Sequence, residues 1–256
     1  MLNTQPSRGR GDGADVSGQR QRGTQRAVRG GIPNSGEASK GSTYILLVRH
    51  GQSIWNAEGR WQGQADTPLS DLGAAQSALA ALRLCHRGGA LLGGSLPDLK
   101  AVYASDMLRA NETANILATQ ADLGPVTCDN RLRERSVGEW SGLTYDEVQQ
   151  QWPGYLKKRL LPPSYETDDL VLPRVFSALD AVRKDHPGEQ VMIVCHAGII
   201  YAVEAYLKAK DGKRNPHRRY RIGNLGCRWV VWDGKGFRLG KRVNLLGEGP
   251  MKKPPV

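Results

Sequence analysis

The sequence predicts an α/β fold in which a mainly parallel sheet is covered by helices. Three short apolar runs carry this reading: Tyr44-Ile-Leu-Leu-Val48, Leu99-Lys-Ala-Val-Tyr-Ala104 and Gln190-Val-Met-Ile-Val-Cys195. Each gives way to a charged or small-residue turn and then to a segment of helical character. Strands and helices alternating at that spacing are the pattern of βαβ units.

Taken in order, residues 1–42 are rich in Gly, Arg, Gln, Ser and Asp and show no apolar recurrence at the helical or the strand period. They are expected to form a disordered basic tail. No aromatic residue interleaves its arginines, so a solvated extension is favoured over an RNA-binding arm. Order is expected to begin at Tyr44–Val48, which is apolar throughout and reads as a strand buried on both faces. Leu69-Ser-Asp-Leu-Gly73 supplies a cap and first turn, and the alanine-rich stretch from Ala74 to Leu84 continues as a helix. Leu99–Ala104 is the second strand, with a helix from Asp106 to Thr119.

The segment from Tyr145 to about Leu172, with its aromatic anchors and the Pro162-Pro163 break, reads as an inserted cap near the ligand-binding edge of the sheet. Gln190–Cys195 is the third strand, followed by a small-residue turn, His196-Ala-Gly198, and an apolar helix through about Leu207. Arg228 to Leu239 reads as a hairpin turning at Asp233-Gly234. The expected organisation is one folded domain over 43–247, with a flexible C-terminal tail at 248–256.

The bulk numbers agree with one core. A chain of 256 residues with 39% apolar content can bury a single large interior. Its net charge of +11 would suit nucleic acid, an anionic surface or a phosphorylated substrate. Seven basic against three acidic side chains fall in residues 1–43, and the rest of the excess is diffuse. The four cysteines (85, 128, 195 and 227) form no CxxC pair, so neither a zinc site nor a disulfide framework is expected. No apolar stretch approaches the roughly 18 residues of a membrane span, and the N-terminus lacks the apolar core of a secretory signal. A cytoplasmic protein is the expectation.

Chemistry concentrates at the strand ends. Two of the three strands run into a histidine beside glycine, at Val48-Arg-His-Gly51 and Val194-Cys-His-Ala-Gly198. Ligands of open parallel sheets sit outside the strand C-termini, so His50 and His196 should face one crevice. Arg49 precedes the first of them, and Arg109 falls on the first turn of the helix after the second strand. On spacing alone Arg109 is as readily an exposed helix residue as a ligand. Together the four side chains suit a dianion, because arginine forks match phosphate oxygens and Gly51 allows close backbone approach. Cys195 raises the alternative of a thiolate nucleophile, but the arginine expected six positions later is Tyr201, and strand packing accounts for the cysteine better. Gly36 to Ser42 is not a P-loop, since its Lys and Gly stand in the wrong order.

Five ordered stretches share a further resemblance: Leu47–Asn56, Gln62–Gly73, Ala104–Ala114, Leu132–Gly142 and Val194–Gly198. With them the chain resembles the histidine phosphatase superfamily, also called the phosphoglycerate mutase-like family, over most of residues 44–246. The resemblance implies a three-layer α/β/α sandwich. It implies that His50 is the nucleophile, that Arg49, Arg109 and His196 bind the transferred phosphoryl group, and that Glu134 protonates the leaving oxygen. Asn56 matches a phosphate-contacting position, and Gln62 and Gly63 match a pair lining the substrate pocket. Glu139, between Gly138 and Trp140, is read as structural or exposed, and Glu112 as a helix-surface residue.

These roles suit phosphoryl transfer, which needs in-line placement and charge compensation more than covalent activation. Two arginines and a second imidazole provide that compensation, so no metal or cofactor is expected. The arginines should hold His50 unprotonated, and a hydrogen bond from its other ring nitrogen to a backbone carbonyl would fix the tautomer.

The expected activity is hydrolysis of a small phosphate monoester through a phosphohistidine. The alternative is a 2,3-bisphosphoglycerate-dependent phosphoglycerate mutase. Glu134 and His196 are only 62 residues apart, too close for the long insertion that the mutases place there, and the short Gly138-Glu-Trp-Ser-Gly142 resembles the phosphatase branch. Lys157, Lys158 and Arg159 keep the mutase reading open, as possible partners of a substrate carboxylate. The basic run Arg218-Arg-Tyr-Arg221 is read as a solvated face before an acidic contact. The expected partner is a small phosphorylated metabolite, not a membrane or nucleic acid; a homodimer is left open.

Overall fold

The computed structural model describes residues 41–85, 98–212, 220–247 and 251–252. Its elements run β1 (Thr43–Arg49), α1 (Ile54–Ala57), α2 (Asp71–Cys85), β2 (Leu99–Ala104), α3 (Leu108–Ala121), β3 (Thr127–Cys128), α4 (Tyr145–Gln151), α5 (Tyr155–Lys158), α6 (Asp168–Asp185), β4 (Gln190–Cys195), α7 (Ala197–Lys210), β5 (Tyr220–Arg221), β6 (Gly226–Trp232), β7 (Phe237–Asn244) and β8 (Met251–Lys252). Two single 3₁₀ turns, Asn130–Leu132 and Gly138–Trp140, follow β3.

Six strands form the main sheet in the order β3-β2-β4-β1-β6-β7. The first four are parallel; β6 and β7 run antiparallel at one edge. The apolar runs of β1 and β4 alternate between two interiors. Leu46, Val48, Met192 and Val194 pack with α2 and α3, whereas Ile45, Leu47, Val191 and Ile193 pack with α6 and α7. This is the three-layer α/β/α sandwich. Each fully buried aliphatic side chain contributes about 1.5–3 kcal/mol relative to exposure, so continuous apolar strands are driven to the middle of such a stack.

Several boundaries differ from the sequence reading, each with a local cause. α3 starts at Leu108, not at Asp106, because Asp106 is engaged by Arg133 at 2.8 and 3.0 Å, and the orphan N–H of Leu108 is capped instead by Asp66 at 2.6 Å. His196-Ala-Gly198 is no turn: His196 is the N-cap, and α7 begins at Ala197. The span 145–172 runs into α6 at Asp168, and α6 is a core helix that buries Val171, Val175, Ala178, Leu179 and Val182. Pro173 lies inside it, removing a single intrahelical hydrogen bond near the N-terminal end. The Asp233 carboxylate accepts the N–H groups of Lys235 and Gly236 at 2.9 and 3.0 Å and closes the β6–β7 turn.

The expected N-terminal tail lies outside the described residues except for Gly41 and Ser42. Of the expected flexible C-terminal tail, 248–250 and 253–256 also lie outside them, but Met251–Lys252 departs from the expectation by pairing with Tyr220–Arg221. Among the described residues no helix is long and apolar enough to cross a membrane.

Candidate active site

β1 and β4 are hydrogen-bonded neighbours in register, with Arg49 opposite Cys195. The next residue of each strand is a histidine, so the register alone brings His50 and His196 side by side. Their ring centroids are 5.2 Å apart, and the His50 N–H donates to the Cys195 carbonyl at 3.1 Å. Both are buried.

His50 Nδ1 lies 2.6 Å from the Gly51 carbonyl oxygen. A carbonyl only accepts, so Nδ1 carries the proton and Nε2 is left with its lone pair. The preceding peptide, His50–Gly51, is held as firmly. Gly51 N–H donates to Thr113 Oγ1 at 3.0 Å, and that hydroxyl donates to the Arg109 carbonyl at 2.7 Å. A Cβ at position 51 would stand 2.6 Å from the Gly73 carbonyl oxygen, which excludes any larger residue without displacing backbone. The pKa of His50 lies well below the ordinary imidazole value, through burial first and the charges of Arg109 and Arg49 after it. The sequence reading credited the arginines; burial is the larger cause. His196 is depressed too, again mainly by burial, and neither of its ring nitrogens has a hydrogen-bond partner among the described residues.

Arg109 is buried, which decides against the exposed-helix alternative. Its Nη1 donates to the Ala65 carbonyl and its Nη2 to the Gly63 carbonyl, both at 2.8 Å. Arg49 donates from Nη1 to the Ile222 carbonyl at 2.7 Å. The Nε atoms of both side chains are buried without a partner. Neutral carbonyls orient both forks without neutralising them. Burial lowers both pKa values, Arg109 to about 10, so both remain cations at neutral pH.

Glu134 sits where its chain segment meets the start of α7. Its Oε1 accepts the Arg135 N–H at 2.8 Å, and its Oε2 accepts the Gly198 N–H at 2.9 Å. Asn56 is N3 of a capping box: Ser53 Oγ accepts its N–H at 3.1 Å, and its Oδ1 accepts the Ser53 N–H at 3.4 Å. Gln62 Oε1 accepts the hydroxyls of Ser53 and Thr67 at 2.8 and 2.7 Å, which turns its amide group toward further donation. Gly63 has φ +54, and a Cβ there would lie 2.8 Å from Val137. These eight residues were all named from sequence. Seven of them, Arg49, His50, Asn56, Gln62, Gly63, Arg109 and Glu134, line one cavity of about 730 Å³, and His196 is buried against His50 behind it.

The cavity also has walls that the sequence reading missed. Arg60, Arg135 and Arg221 line it, together with Trp61, Tyr145 and Tyr165. Arg60 is paired with Glu58 and Glu147, and Arg135 with Asp168 at 2.7 Å while lying over the Tyr165 ring. Lys157, Lys158 and Arg159, proposed from sequence as carboxylate partners, do not line it. Of the basic run 218–221, Arg218 and Arg219 lie outside the described residues, but Arg221 reaches the cavity and is not merely a solvated surface residue. Arg135 directly follows Glu134 in a motif already singled out, so that signal was available; the others come from separate segments, Tyr145 from α4 and Arg221 from β5 among them, that only the fold unites.

One surface reading changes and another holds. Glu112 accepts the Leu69 N–H at 2.8 Å and so fixes the loop before α2. Glu139 accepts from Ser164 N–H and Oγ at 3.3 and 2.9 Å, which agrees with a structural role. Cys195 is buried in the sheet, and burial pushes its thiol pKa far up, which removes it as a nucleophile.

Known proteins agree with this geometry. The model of the histidine phosphatase superfamily (branch 1) matches residues 45–244. Phosphoglycerate mutase-like protein 4 of Arabidopsis thaliana is 33% identical over 177 residues, covering 66% of this chain and 72% of that protein. The metal-independent phosphoserine phosphatase of the same plant is 34% identical over 168 residues, 63% of this chain and 67% of its own length. Among solved structures, the mycobacterial glucosyl-3-phosphoglycerate phosphatase complexed with VO3 superposes with a TM-score of 0.66 at 29% identity, covering 78% of this chain and 98% of that one.

Proposed function

The chain belongs to the histidine phosphatase superfamily, branch 1, and from that premise we propose that it hydrolyses a small phosphate monoester through a phosphohistidine at His50. The observation that carries this reading is the 2.6 Å contact of His50 Nδ1 with the Gly51 carbonyl. It leaves Nε2 unprotonated and aimed away from its own backbone, in a pocket whose cations suppress imidazolium formation.

In the first step His50 Nε2 forms a bond to phosphorus as the ester P–O bond breaks on the opposite side. Arg49, Arg109 and His196 compensate the charge on the equatorial oxygens, and the Glu134 carboxyl group gives its proton to the departing alkoxide. Asn56 and Gln62 supply further donors to the phosphoryl group or its ester oxygen. In the second step water attacks the phosphohistidine, its proton passes to the Glu134 carboxylate, and inorganic phosphate leaves with His50 restored. The two arginine cations, with neutral His196 as a hydrogen-bond donor, do what a metal ion would otherwise do, so the reaction is metal-independent.

Hydrolysis is favoured over mutase chemistry by what covers the pocket. Between Glu134 and His196, α6 and β4 belong to the core, and only residues 135–167 with the short α4 and α5 remain as cover. A phosphoenzyme that must be kept from water needs a more enclosing lid. Relatives named for phosphoserine and glucosyl-3-phosphoglycerate phosphatase activities support a phosphorylated metabolite as substrate.

The test is a panel of phosphate esters assayed with EDTA, including 3-phosphoglycerate with 2,3-bisphosphoglycerate. Inorganic phosphate release without added metal is expected, and isomerisation outpacing it would overturn the phosphatase reading. His50→Ala should abolish an acid-labile, base-stable phosphoenzyme; a label that persists in this variant would move the nucleophile elsewhere.

A further inference from the structure

Glu134 has no helix or strand to hold it. It lies in the irregular stretch between the 3₁₀ turns Asn130–Leu132 and Gly138–Trp140, where backbone carbonyls need partners from outside the segment. Three of those carbonyls are gathered by one side chain. Arg174, on the core helix α6, donates from Nη1 to the carbonyls of Arg131 and Arg133 at 2.8 and 2.7 Å, and from Nη2 to the carbonyl of Glu134 itself at 3.3 Å. Its Nε and Nη2 also fork onto the Glu166 carboxylate at 2.8 and 2.9 Å. A guanidinium has five N–H donors, and all five are used. Glu166 closes the grip: its Oε2 accepts the Ser136 N–H and its own N–H donates to the Ser136 carbonyl, both at 3.0 Å.

We propose that Arg174, locked by Glu166, is a positioning residue for proton transfer by Glu134. It transmits the rigidity of α6 to the carboxyl group through the backbone of residues 131–136. The proposal rests on the reading of Glu134 as the proton donor. The other contacts of Glu134 hold the carboxylate to the N–H groups of Arg135 and Gly198. Gln64 Nε2 shares the Glu134 carbonyl at 3.1 Å, but Arg174 alone ties that carbonyl to those of Arg131 and Arg133 and so to α6, which sets where the carboxylate starts. The Arg174 side chain is 20% exposed and that of Glu166 15%, so water does not readily replace the bonds. A guanidinium is needed for its geometry as much as for its charge: an ammonium at the same place could not reach two carbonyls and a carboxylate fork together.

Leaving groups separate positioning of an acid from mere fastening of the fold. An alkyl phosphate must be protonated as it leaves, whereas 2,4-dinitrophenyl phosphate expels a stable phenolate that needs no proton. The value of kcat/KM reports the phosphorylation step for both. Glu134→Gln is expected to lower it by about 10²-fold for the fastest alkyl ester of the panel and far less for the dinitrophenyl ester. Arg174→Lys is expected to lower it about tenfold for the alkyl ester with little change for the dinitrophenyl ester, and to add almost nothing in the Glu134→Gln background.

Equal loss on both esters from Arg174→Lys, or a full further loss in the Glu134→Gln background, would overturn the proposal while leaving Glu134 as the acid. Equal loss on both esters from Glu134→Gln itself would overturn the reading of Glu134, and the proposal with it. Should Arg174→Lys not fold, Glu166→Gln, which loosens the fork but keeps the guanidinium, carries the same comparison and is judged by the same outcomes.

Discussion

Glu134 Oε2 accepts the backbone N–H of Gly198 at 2.9 Å, and a Cβ added at residue 198 would overlap the Glu134 carboxylate. The carboxylate is the far end of a flexible side chain, so it and not the backbone would give way. Gly198→Ala should therefore leave the melting temperature nearly unchanged while lowering kcat/KM for alkyl esters on the order of 10²-fold, the scale of a displaced general acid. A loss of stability with activity per folded molecule intact would show that the glycine serves α7 and not the carboxylate.

Thr113 joins the loop that carries His50 to the helix that carries Arg109. Its hydroxyl receives Gly51 N–H and gives its own proton to the Arg109 carbonyl. Thr113→Val keeps the shape but strands a buried N–H beside the nucleophile, at a cost of about 1–3 kcal/mol in unfolding free energy. The same change frees the His50–Gly51 peptide, next to the carbonyl that sets the His50 tautomer, so the yield of phosphoenzyme per folded molecule should also fall. Urea unfolding and burst-phase labelling read the two effects separately.

Sequence reading reached the candidate site because strand ends are legible. An apolar run that stops at Arg-His-Gly or Cys-His-Ala-Gly reports both the strand and what hangs from it, and the β1–β4 register then places His50 by His196 without help from any loop. It was weaker where long-range contacts override local signals. Asp106 resembles a helix cap until Arg133 takes its carboxylate, and the cap of α3 arrives from Asp66, 42 residues away. α6 was hidden by Pro173 and by the prolines before it, because propensity cannot see the buried Val171, Val175 and Leu179 that stabilise the helix. Arg60 enters the cavity from the loop after α1 and Arg221 from β5, far apart in sequence, and no spacing rule connects them.

The two buried histidines also set a direction for stability against pH. Both have folded-state pKa values below the unfolded value near 6.5. Below that value the unfolded chain binds protons that the folded one does not, so unfolding free energy must fall as pH drops from about 6.5 toward the folded pKa. The slope is at most about 1.4 kcal/mol per pH unit for each histidine. Asp106 and Asp129, whose pKa values are lowered by their arginine partners, contribute only in more acidic solution. Denaturant titrations at pH 7 and 5.5 should show the loss, and His196→Asn should reduce it. An unchanged slope in that variant would mean that His196 is not held neutral.

Away from the site, α7 is anchored to the antiparallel edge of the sheet by a buried carboxylate. Glu204 is fully buried and pairs with Arg228 on β6 at 3.0 Å and with Arg242 on β7. One carboxylate thus serves two guanidinium groups, and Arg228 is itself mostly buried, with a pKa lowered chiefly by that burial. Replacing Glu204 by Gln keeps the volume but withdraws the carboxylate charge from between the two guanidinium groups. Breaking a buried pair in this way costs about 3–5 kcal/mol. The triple Glu204→Leu, Arg228→Met, Arg242→Met, which removes all three charges, should recover most of that loss, because the cost lies in keeping two like charges together without the carboxylate and not in the missing salt bridge. Both variants should keep the kcat of the parent protein wherever they remain folded, since none of the three substituted residues lines the cavity. A triple variant no more stable than Glu204→Gln would show instead that the ion pairs themselves hold α7 to the sheet.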